Sequence, residues 1–342
     1  MSKHQHTPRL QQILEYIWYQ NNLFTQLGKY LLSPLSLLFC VLARIKSKTD
    51  STKAPPLPLP VIVVGNINVG GTGKTPLVIY LARLLKHAGY SPCIITRGYK
   101  GTASRWPILV NEQTATETCG DEAKLMKLAV NIPVIAGPGR VADIEYAAKH
   151  TQANIIISDD GLQHYKMQRD LEIAVVDTQR GLGNTFCLPA GPLRETKKRL
   201  HNCDYVVCNG GKSATINNCY VMQLTGADVV NLVTKERKHI SELNDIQVIT
   251  GIGNPQRFIT TLKRLGANII AEHLFADHHR FSKEDFQTGL NSPLVMTEKD
   301  AVKCFDMQLN NAWYLPVSAR LSAEFDEEFL GKVEKIAAGY RN

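Results

Sequence analysis

The chain has 342 residues, with 39 Lys and Arg against 31 Asp and Glu, a net charge of +8 and a pI near 9.0. This length predicts two domains with sizeable cores, and the ordinary apolar and charged fractions exclude wholesale disorder. The positive charge favours an acidic partner: nucleic acid, an anionic membrane or a phosphorylated substrate. The 8 cysteines form neither C-x-x-C pairs nor zinc spacings, which predicts reduced thiols in the cytosol.

An amphipathic and then almost wholly apolar segment follows a predicted loose tail, residues 1–7. Residues 8–48 have a helical pattern, and the uncharged run 30–43 within it is shorter than the roughly 20 residues that span a bilayer. Pro34 is expected to interrupt this run. The basic flank after it consists of Arg44, Lys46, Lys48 and Lys53. The pattern predicts an interfacial membrane helix, with a core helix packed on the domain as the alternative.

The stretch 61–76 reads V-I-V-V-G-N-I-N-V-G-G-T-G-K-T-P and is typical of a phosphate-binding loop. A buried strand leads into a turn whose glycines let successive N–H groups surround phosphate oxygens, and a helix follows from Leu77. Lys74 would reach the β- and γ-phosphates of a nucleotide, and the Thr75 hydroxyl would hold Mg²⁺. A glycine-rich turn without a ligand is the alternative.

One position departs from the strict pattern G-x-x-x-x-G-K-[ST], which has glycine where this chain has Asn68. The pair Gly70 and Gly71 instead matches a G-G-x-G-K-[ST] variant. The predicted nucleotide-binding residues are Asn68, Gly70, Gly71, Thr72, Gly73, Lys74 and Thr75.

Strand-like and helix-like segments alternate after this loop. The predicted strands are 93–96, 106–110, 133–136, 155–158 and 171–177, and the predicted helices are 77–88, 121–130 and 141–149. This alternation predicts an α/β fold with a parallel sheet and ligands at the carboxyl ends of its strands. Asp159 and Asp160 end one such strand, where a phosphate-loop enzyme holds its metal, and residues 161–164 extend toward the same edge.

Two further acidic motifs each allow two interpretations. Asp121 and Glu122 open a helix, where N-terminal capping and catalysis are equally open interpretations. The run 277–279 reads D-H-H after a predicted strand, and no further ligands at zinc spacing accompany it. A hydrogen-bonded Asp and His in catalysis is therefore favoured over a metal site.

The motifs taken together resemble those of the tetraacyldisaccharide 4'-kinases. They are G-N-I-N-V-G-G-T-G-K-T-P at 65–76, R-G-Y at 97–99, G-D-E at 120–122, D-D-G-L-Q-H at 159–164, G-P-L-R-E at 191–195, G-I-G-N-P-Q-R-F at 251–258, D-H-H at 277–279 and T-E-K-D-A-V-K at 297–303. They occur in the family's order over most of the chain. The family also accepts a residue other than glycine where Asn68 stands.

The resemblance implies an activity and a catalytic set. The activity is transfer of a phosphoryl group from ATP, with Mg²⁺, to the 4'-hydroxyl of a tetraacyldisaccharide 1-phosphate, which gives lipid IVA in lipid A biosynthesis. Asp121 would be the general base and His278 its partner, and Lys74 would neutralise charge on the transferring group.

Further residues are assigned by the same resemblance. The implied metal ligands are Thr75, Asp159, Asp160 and Glu195. The implied substrate contacts are Arg97, Tyr99, Gln163, His164 and Arg194. Thr297, Lys299 and Asp300 would make inter-domain contacts to the nucleotide or the phosphate loop, with helix capping as an equal alternative.

The implied fold consists of two α/β/α units, the first a P-loop NTPase-like parallel sheet and the second a smaller unit that closes the cleft. The predicted boundaries are 1–54 for a membrane-associated helical segment, 55–240 for the kinase domain and 241–342 for the smaller domain. Because a substrate with four acyl chains resides in the membrane, the chain is expected at the cytoplasmic face of the bacterial inner membrane. It is expected there as a monomer, held peripherally or by its N-terminal segment, with no nucleic-acid partner.

Three other functions fit the sequence less well. A partitioning-type switch ATPase would carry a signature lysine before the two glycines, where this chain has Val69. A GTPase metallochaperone would need N-K-x-D, which T-E-K-D at 297–300 does not supply. A nucleic-acid-binding ATPase would need a basic helix or an aromatic platform, and neither is recognisable.

Overall fold

The computed structural model describes residues 9–213, 215–289 and 291–340 of the chain, so the predicted tail 1–7 lies outside the described residues. The α-helices are α1 (Arg9–Tyr19), α2 (Leu23–Thr52), α3 (Lys74–His87), α4 (Thr116–Cys119), α5 (Asp121–Ala129), α6 (Arg140–His150), α7 (Pro255–Arg264), α8 (Glu298–Ala301) and α9 (Ala323–Gly339). Short 3₁₀ helices occur at Lys197–Asn202, Ile240–Glu242, Lys283–Phe286 and Phe305–Met307.

The described strands belong to two sheets. In chain order they are β1 (Val61–Gly65), β2 (Pro92–Thr96), β3 (Ile108–Val110), β4 (Val134–Ala136), β5 (Ile155–Asp159), β6 (Leu171–Asp177), β7 (Tyr205–Asn209), β8 (Tyr220–Thr225), β9 (Asp228–Asn231), β10 (Arg237–His239), β11 (Ile246–Thr250), β12 (Ile269–Leu274), β13 (Leu294–Thr297), β14 (Ala312–Leu315) and β15 (Ser318–Arg320).

The first sheet has nine strands in the order β15-β8-β7-β6-β1-β5-β2-β4-β3. Its strands pair in parallel except at the two edges, where β3 and β15 are antiparallel to their neighbours. The central strand β1 is buried throughout because helices and loops cover both faces. Val64 of β1 pairs with Asp159 of β5, and Gly65 pairs with Ala174 of β6. This register places the phosphate loop and the acidic strand ends at one edge.

The second sheet has six strands in the order β10-β9-β14-β13-β11-β12. Strands β11 to β14 pair in parallel, while β9 and β10 are antiparallel additions at one side. Helix α7 covers one face with Phe258, Ile259 and Leu262, and α8 covers the other with Ala301. The prediction of two α/β units with a P-loop-type parallel sheet and an N-terminal apolar helix is confirmed.

The sheets divide the chain differently from the predicted boundaries at 240 and 241. β9 and β10 precede that boundary but belong to the second sheet, whereas β15 and α9 follow it but belong to the first. Packing explains why α9 joins the first sheet, because its Phe325 and Phe329 are fully buried against that sheet. Their rings pack edge-on to Tyr205, which buries apolar area against the first sheet.

Helix α2 differs from its prediction in two ways. It runs as one helix of 30 residues through Pro34, so the predicted interruption is wrong. At about 45 Å this helix is long enough to cross a bilayer. Asn22 starts it with a capping box to Thr25. The alternative of a core helix is also wrong, because large apolar side chains along α2 are exposed, Leu23 by 88% and Leu31 by 79%.

The prediction that all cysteines are reduced thiols is wrong for one pair. Cys208 at the end of β7 and Cys219 beside β8 form a disulfide, with 5.9 Å between their Cα atoms. The two strands are neighbours in the sheet, and a spacing of 11 residues gave no local signal of this contact. The remaining six cysteines are free.

Candidate active site

The phosphate loop connects β1 to α3. Gly70 and Gly73 have φ angles of 109° and 91°, a conformation that glycine adopts without a steric penalty. A Cβ on Gly73 would lie 2.3 Å from Asn209 Nδ2, so this position also lacks room for a side chain. No side chain caps the N-terminus of α3, which leaves its first N–H groups for an anion.

Asn66, which the sequence analysis did not single out, braces this loop from inside. Its Nδ2 donates to the carbonyl oxygens of Asn68 at 2.8 Å and Gly70 at 3.3 Å, and its Oδ1 accepts from Lys74 Nζ at 3.2 Å. The loop is also held from outside, because Val69 N donates to the carbonyl of Pro192 at 2.9 Å. Asn68 does not have a positive φ, so its backbone position does not require glycine.

The two strand-end carboxylates have opposite electrostatic environments. Asp160 faces Lys74 Nζ at 3.3 Å and Arg194 Nη1 at 3.4 Å. Burial acts to raise the pKa of Asp160, but these two cations outweigh it and lower the pKa to about 2. Burial and then the neighbouring Glu122 and Asp160 charges raise the pKa of Asp159 to about 7.

The predicted magnesium ligands contribute unequally to this edge. Asp159 accepts from Thr96 Oγ1 at 3.3 Å through one oxygen, and its other oxygen has no partner among the described residues. Glu195 is occupied by Gln163 Nε2 at 2.9 Å and by Tyr165 and Arg199. In the described part of the chain no three His, Cys, Asp or Glu side chains form a metal cluster.

The unpaired oxygen and the carboxylate crowding at Asp159 nevertheless fit a cation. Mg²⁺ is usually held by one or two carboxylates, water and substrate phosphates rather than by a complete protein cage. Asp159, Asp160 and Thr75 could supply that partial set at the end of β5, beside the phosphate loop. The metal role of Glu195 stays a prediction.

Asp121 and His278 form a pair across the two units. His278 Nδ1 lies 3.0 Å from Asp121 Oδ2, and the edge of the Tyr99 ring packs on the imidazole with centroids 5.0 Å apart. Burial acts to raise the pKa of Asp121, but the hydrogen bond with His278 and nearby lysines outweigh it and lower the pKa. A carboxylate that stays ionised beside an imidazole has the chemistry of a general base.

A second contact between the units lies next to this pair. Lys299 Nζ donates to Glu122 at 3.1 Å and lies 3.5 Å from His278 Nε2. The lysine therefore makes an inter-domain contact, but its partner is Glu122 of α5, and its predicted contact with the nucleotide or the phosphate loop stays a prediction. Thr297 also caps α8, because its side chain accepts a hydrogen bond from Asp300 N. Helix capping, the alternative interpretation of this motif, is therefore confirmed.

The predicted substrate residues form two groups. Arg97 and Tyr99 line an open pocket of about 250 Å³, together with Gly98, Lys100, Gly101, Trp106 and Pro138. Arg194 is not among the residues that line this pocket, and its Nη1 lies 3.3 Å from Gln163 Oε1. Burial and then the Arg140 charge lower the pKa of His164 to about 4, so this imidazole is neutral at physiological pH.

Known proteins of one family are similar to this chain. The family model of the tetraacyldisaccharide-1-P 4'-kinases matches residues 28–334. The chain belongs to this family. A tetraacyldisaccharide 4'-kinase of Vibrio cholerae serotype O1 is 42% identical over 335 residues, which cover 96% of this chain and 98% of that protein. The tetraacyldisaccharide 4'-kinase of Haemophilus influenzae is 42% identical over 337 residues, covering 95% and 99%. The predicted resemblance is confirmed.

A solved structure is similar over nearly the whole fold. It is the crystal structure of an "apo" form of LpxK from Aquifex aeolicus in complex with ATP, with a TM-score of 0.76 and 29% sequence identity. The match covers 90% of this chain and 99% of that one.

Several residues that hold this kinase-family site were missed from the sequence. Arg140 is buried beneath β5, where its Nη2 donates to the Asp159 carbonyl at 2.7 Å. Arg257 of α7 donates to Asp177 at 2.8 Å through Nη1 and to Asn209 Oδ1 at 2.8 Å through Nη2. Asn209 Nδ2 in turn donates to the carbonyl of Thr72 in the phosphate loop at 2.9 Å. The motif at 251–258 was recognised, but nothing local indicated this contact.

Replacing Arg257 with Lys is expected to raise the KM for ATP about two- to tenfold, with a smaller change in kcat. Lysine keeps a cation beside the buried Asp177 but cannot reproduce the planar fork that also reaches Asn209. The lost bond corresponds to about 0.5–1.5 kcal/mol. Steady-state kinetics and thermal unfolding measure the two effects. The control is Arg264→Lys at the exposed end of the same helix, and equal KM values for the two variants would contradict the contact's role.

Proposed function

We propose that the chain is an ATP-dependent kinase that phosphorylates the 4'-hydroxyl of a tetraacyldisaccharide 1-phosphate, giving lipid IVA in lipid A biosynthesis. The observation that carries this proposal is the Asp121–His278 pair, which lies 3.0 Å apart and joins the two units beside a phosphate loop. Membership of the family supports the choice of acceptor.

The phosphate loop binds and orients the nucleotide. Its N–H groups and the uncapped start of α3 surround the phosphate oxygens. Lys74, which now lies between Asn66 and Asp160, moves only its flexible side chain to meet the β- and γ-phosphates. Asp159, Asp160 and Thr75 would hold Mg²⁺, which would neutralise charge on the phosphates when bound.

Asp121 accepts the proton of the attacking 4'-hydroxyl. The lowered pKa of Asp121 keeps this carboxylate ionised, and His278 holds its orientation through the hydrogen bond to Oδ2. Because His278 comes from the second unit, the pair is complete only when the two units are together. Closure of the units therefore assembles the base and excludes water from the cleft.

The acceptor sugar lies between the two groups of polar residues. Arg97 and Tyr99 contact it from the pocket side, and Arg194, Gln163 and His164 contact it from the other. The exposed ring of Tyr99 suits a sugar face, and the arginines suit phosphate or hydroxyl oxygens. A neutral His164 can donate or accept a hydrogen bond without adding charge.

Helix α2 brings this cleft to its lipid. The described surface of α2 exposes a series of large apolar side chains: Leu23, Phe24, Leu27, Tyr30, Leu31, Leu35, Leu37, Leu38, Val41, Leu42 and Ile45. The helix is tied to the catalytic unit by Ser36, whose hydroxyl donates to the carbonyl of Cys187 at 2.7 Å. A monomer held by α2 at the cytoplasmic face of the inner membrane thus meets the acyl chains and the sugar together.

Replacing Leu31 and Leu38 together with Ser is expected to weaken binding to lipid vesicles at least tenfold. The two side chains are 79% and 53% exposed, so they contribute to membrane insertion rather than to folding. Each buries apolar area in lipid that is worth about 1.5–3 kcal/mol. Vesicle flotation measures the binding. Leu128→Ser, at a 42% exposed leucine of α5, is the control, and an equal loss in both variants would exclude α2 as the contact.

The activity itself is tested by incubating the purified chain with γ-labelled ATP, Mg²⁺ and tetraacyldisaccharide 1-phosphate in detergent micelles. Label is expected in the lipid, and none is expected when the acceptor already carries a 4'-phosphate. ATP consumption without labelled lipid, especially if vesicles alone stimulate it, would overturn the kinase assignment in favour of a membrane-associated switch ATPase.

A further inference from the structure

We propose that Arg180 is a further catalytic residue of this kinase, whose guanidinium binds the γ-phosphoryl group of ATP as it is transferred. The inference rests on the proposed function and adds a residue to it.

Arg180 lies in a turn shortly after β6, the neighbour of β1 in the sheet. Gly181 N donates to the carbonyl of Asp177 at 2.8 Å, and Gln179 N donates to its Oδ1 at 2.9 Å. The buried carboxylate of Asp177 therefore sets the backbone from which Arg180 projects.

The guanidinium of Arg180 lies against the phosphate loop. Its Nη1 is 3.0 Å from the point that a Cβ on Gly70 would occupy. Gly70 belongs to the glycine pair in the middle of the loop, ahead of Lys74, where N–H groups face a bound phosphate. A cation at this place would be within reach of the oxygens of a phosphate held by the loop.

The hydrogen-bonding capacity of Arg180 is largely unused. Its side chain is 19% exposed and carries five N–H donors, yet in residues 9–213, 215–289 and 291–340 no acceptor lies within hydrogen-bond distance of it. Its contacts there are an ion pair with Glu15 at 3.7 Å and the ring of Tyr19 at 4.7 Å. By contrast, Arg257 bonds both a carboxylate and an amide.

A phosphoryl group supplies the acceptors that the guanidinium lacks. The forked N–H groups match two phosphate oxygens, and the contact with Glu15, whose side chain is 40% exposed, is weak enough to be exchanged. Tyr19 supports the cation through its ring without competing for its donors. Tyr19 of α1 is thus a positioning residue.

The role of Arg180 follows from where negative charge develops during phosphoryl transfer. The bond between the γ-phosphorus and the β,γ-bridging oxygen breaks and leaves its electron pair on ADP. A bond forms between the phosphorus and the acceptor oxygen, whose proton passes to Asp121. In the transition state between these two events, negative charge is spread over the three equatorial oxygens of the transferring group. An arginine in the same chain stabilises that transition state more than it stabilises the ground state.

The test compares Arg180→Gln and Arg180→Ala with Glu15→Gln, using the full chain in micelles. We expect kcat to fall by about 10²–10³-fold in both arginine variants, while the dissociation constant for ATP changes less than about threefold. We expect Glu15→Gln to keep wild-type turnover or exceed it, although it breaks the same ion pair. We also expect millimolar guanidinium to restore part of the turnover of Arg180→Ala.

Four results would overturn the assignment. They are kcat of Arg180→Gln within threefold of wild type, an equal loss in Glu15→Gln, a loss explained entirely by weaker ATP binding, and no rescue of a folded Arg180→Ala by guanidinium. Wild-type chain that does not label the lipid at all would instead contradict the proposed function, which separates the two failures.

Discussion

Asp121→Asn is expected to lower turnover by about 10²–10⁴-fold while ATP binding changes little. Asparagine has nearly the same shape and keeps a hydrogen bond with His278, but it cannot accept the proton of the sugar hydroxyl. Asp121 belongs to α5 and is not one of the residues of the phosphate loop, so we expect nucleotide binding to depend little on its charge. Single-turnover transfer to lipid and equilibrium binding of ATP measure the two quantities separately.

Glu117→Gln is the matched control, since it removes an exposed acid of α4, four residues before Asp121 in the chain. Near-normal turnover in Asp121→Asn would assign the proton to another group.

The activity that depends on Asp121 is also expected to change with pH. The pKa of Asp121 is lowered in the folded chain, so the ionised base persists as the pH falls through the ordinary range for aspartate. The acidic loss of kcat/KM should therefore begin below that range.

Lys74→Met is expected to lower turnover by about 10²–10³-fold, with weaker binding of ATP as a second effect. Methionine fills a similar volume but has neither the charge nor the donors that meet the β- and γ-phosphates. The substitution also leaves Asp160 with Arg194 as its nearest cation, at 3.4 Å. Equilibrium binding of ATP measures the loss of binding, and the rate of transfer measures the loss of turnover. A fall in kcat beyond the loss of ATP binding reports that Lys74 stabilises the transferring group.

Lys86→Met provides the control at the other end of the same helix. Its amino group donates to the carbonyl of Asn131 at 2.9 Å, so this variant tests a general effect of losing a lysine from α3. If Lys74→Met and Lys86→Met had similar activities, the assignment of residues 66–75 as the nucleotide site would be wrong.

The parts of the site that could be predicted are those encoded within a short stretch. The phosphate loop needs a buried strand, glycines at two positive-φ positions and Lys74 at the start of a helix, and all of these lie within residues 61–75. The acids at 159 and 160 were predictable for the same reason. They end a strand that the alternation of strands and helices along the chain assigns to the parallel sheet. Their unequal pKa values were not, because Lys74, Arg194 and Glu122 come from other segments.

Contacts between distant segments had no local signal. Asp121 and His278 are separated by 157 residues, and only the family resemblance paired them before the fold did. Arg257, Asn209 and Arg180 were missed because each looks like an ordinary polar residue at a strand or helix end. Their importance appears only when β6, β7 and α7 meet beside the loop.

Sequence by itself determined that this protein is an α/β nucleotide-binding chain with an apolar N-terminal helix, because periodicity and glycine placement are properties of neighbouring residues. Only the tertiary structure decided which sheet each late segment joins, and that α9 returns to the first unit through Phe325 and Phe329. It also decided which charges meet across the cleft. The physical reason is that burial and electrostatic interactions act through space, so partners far apart along the chain become neighbours only in the folded molecule.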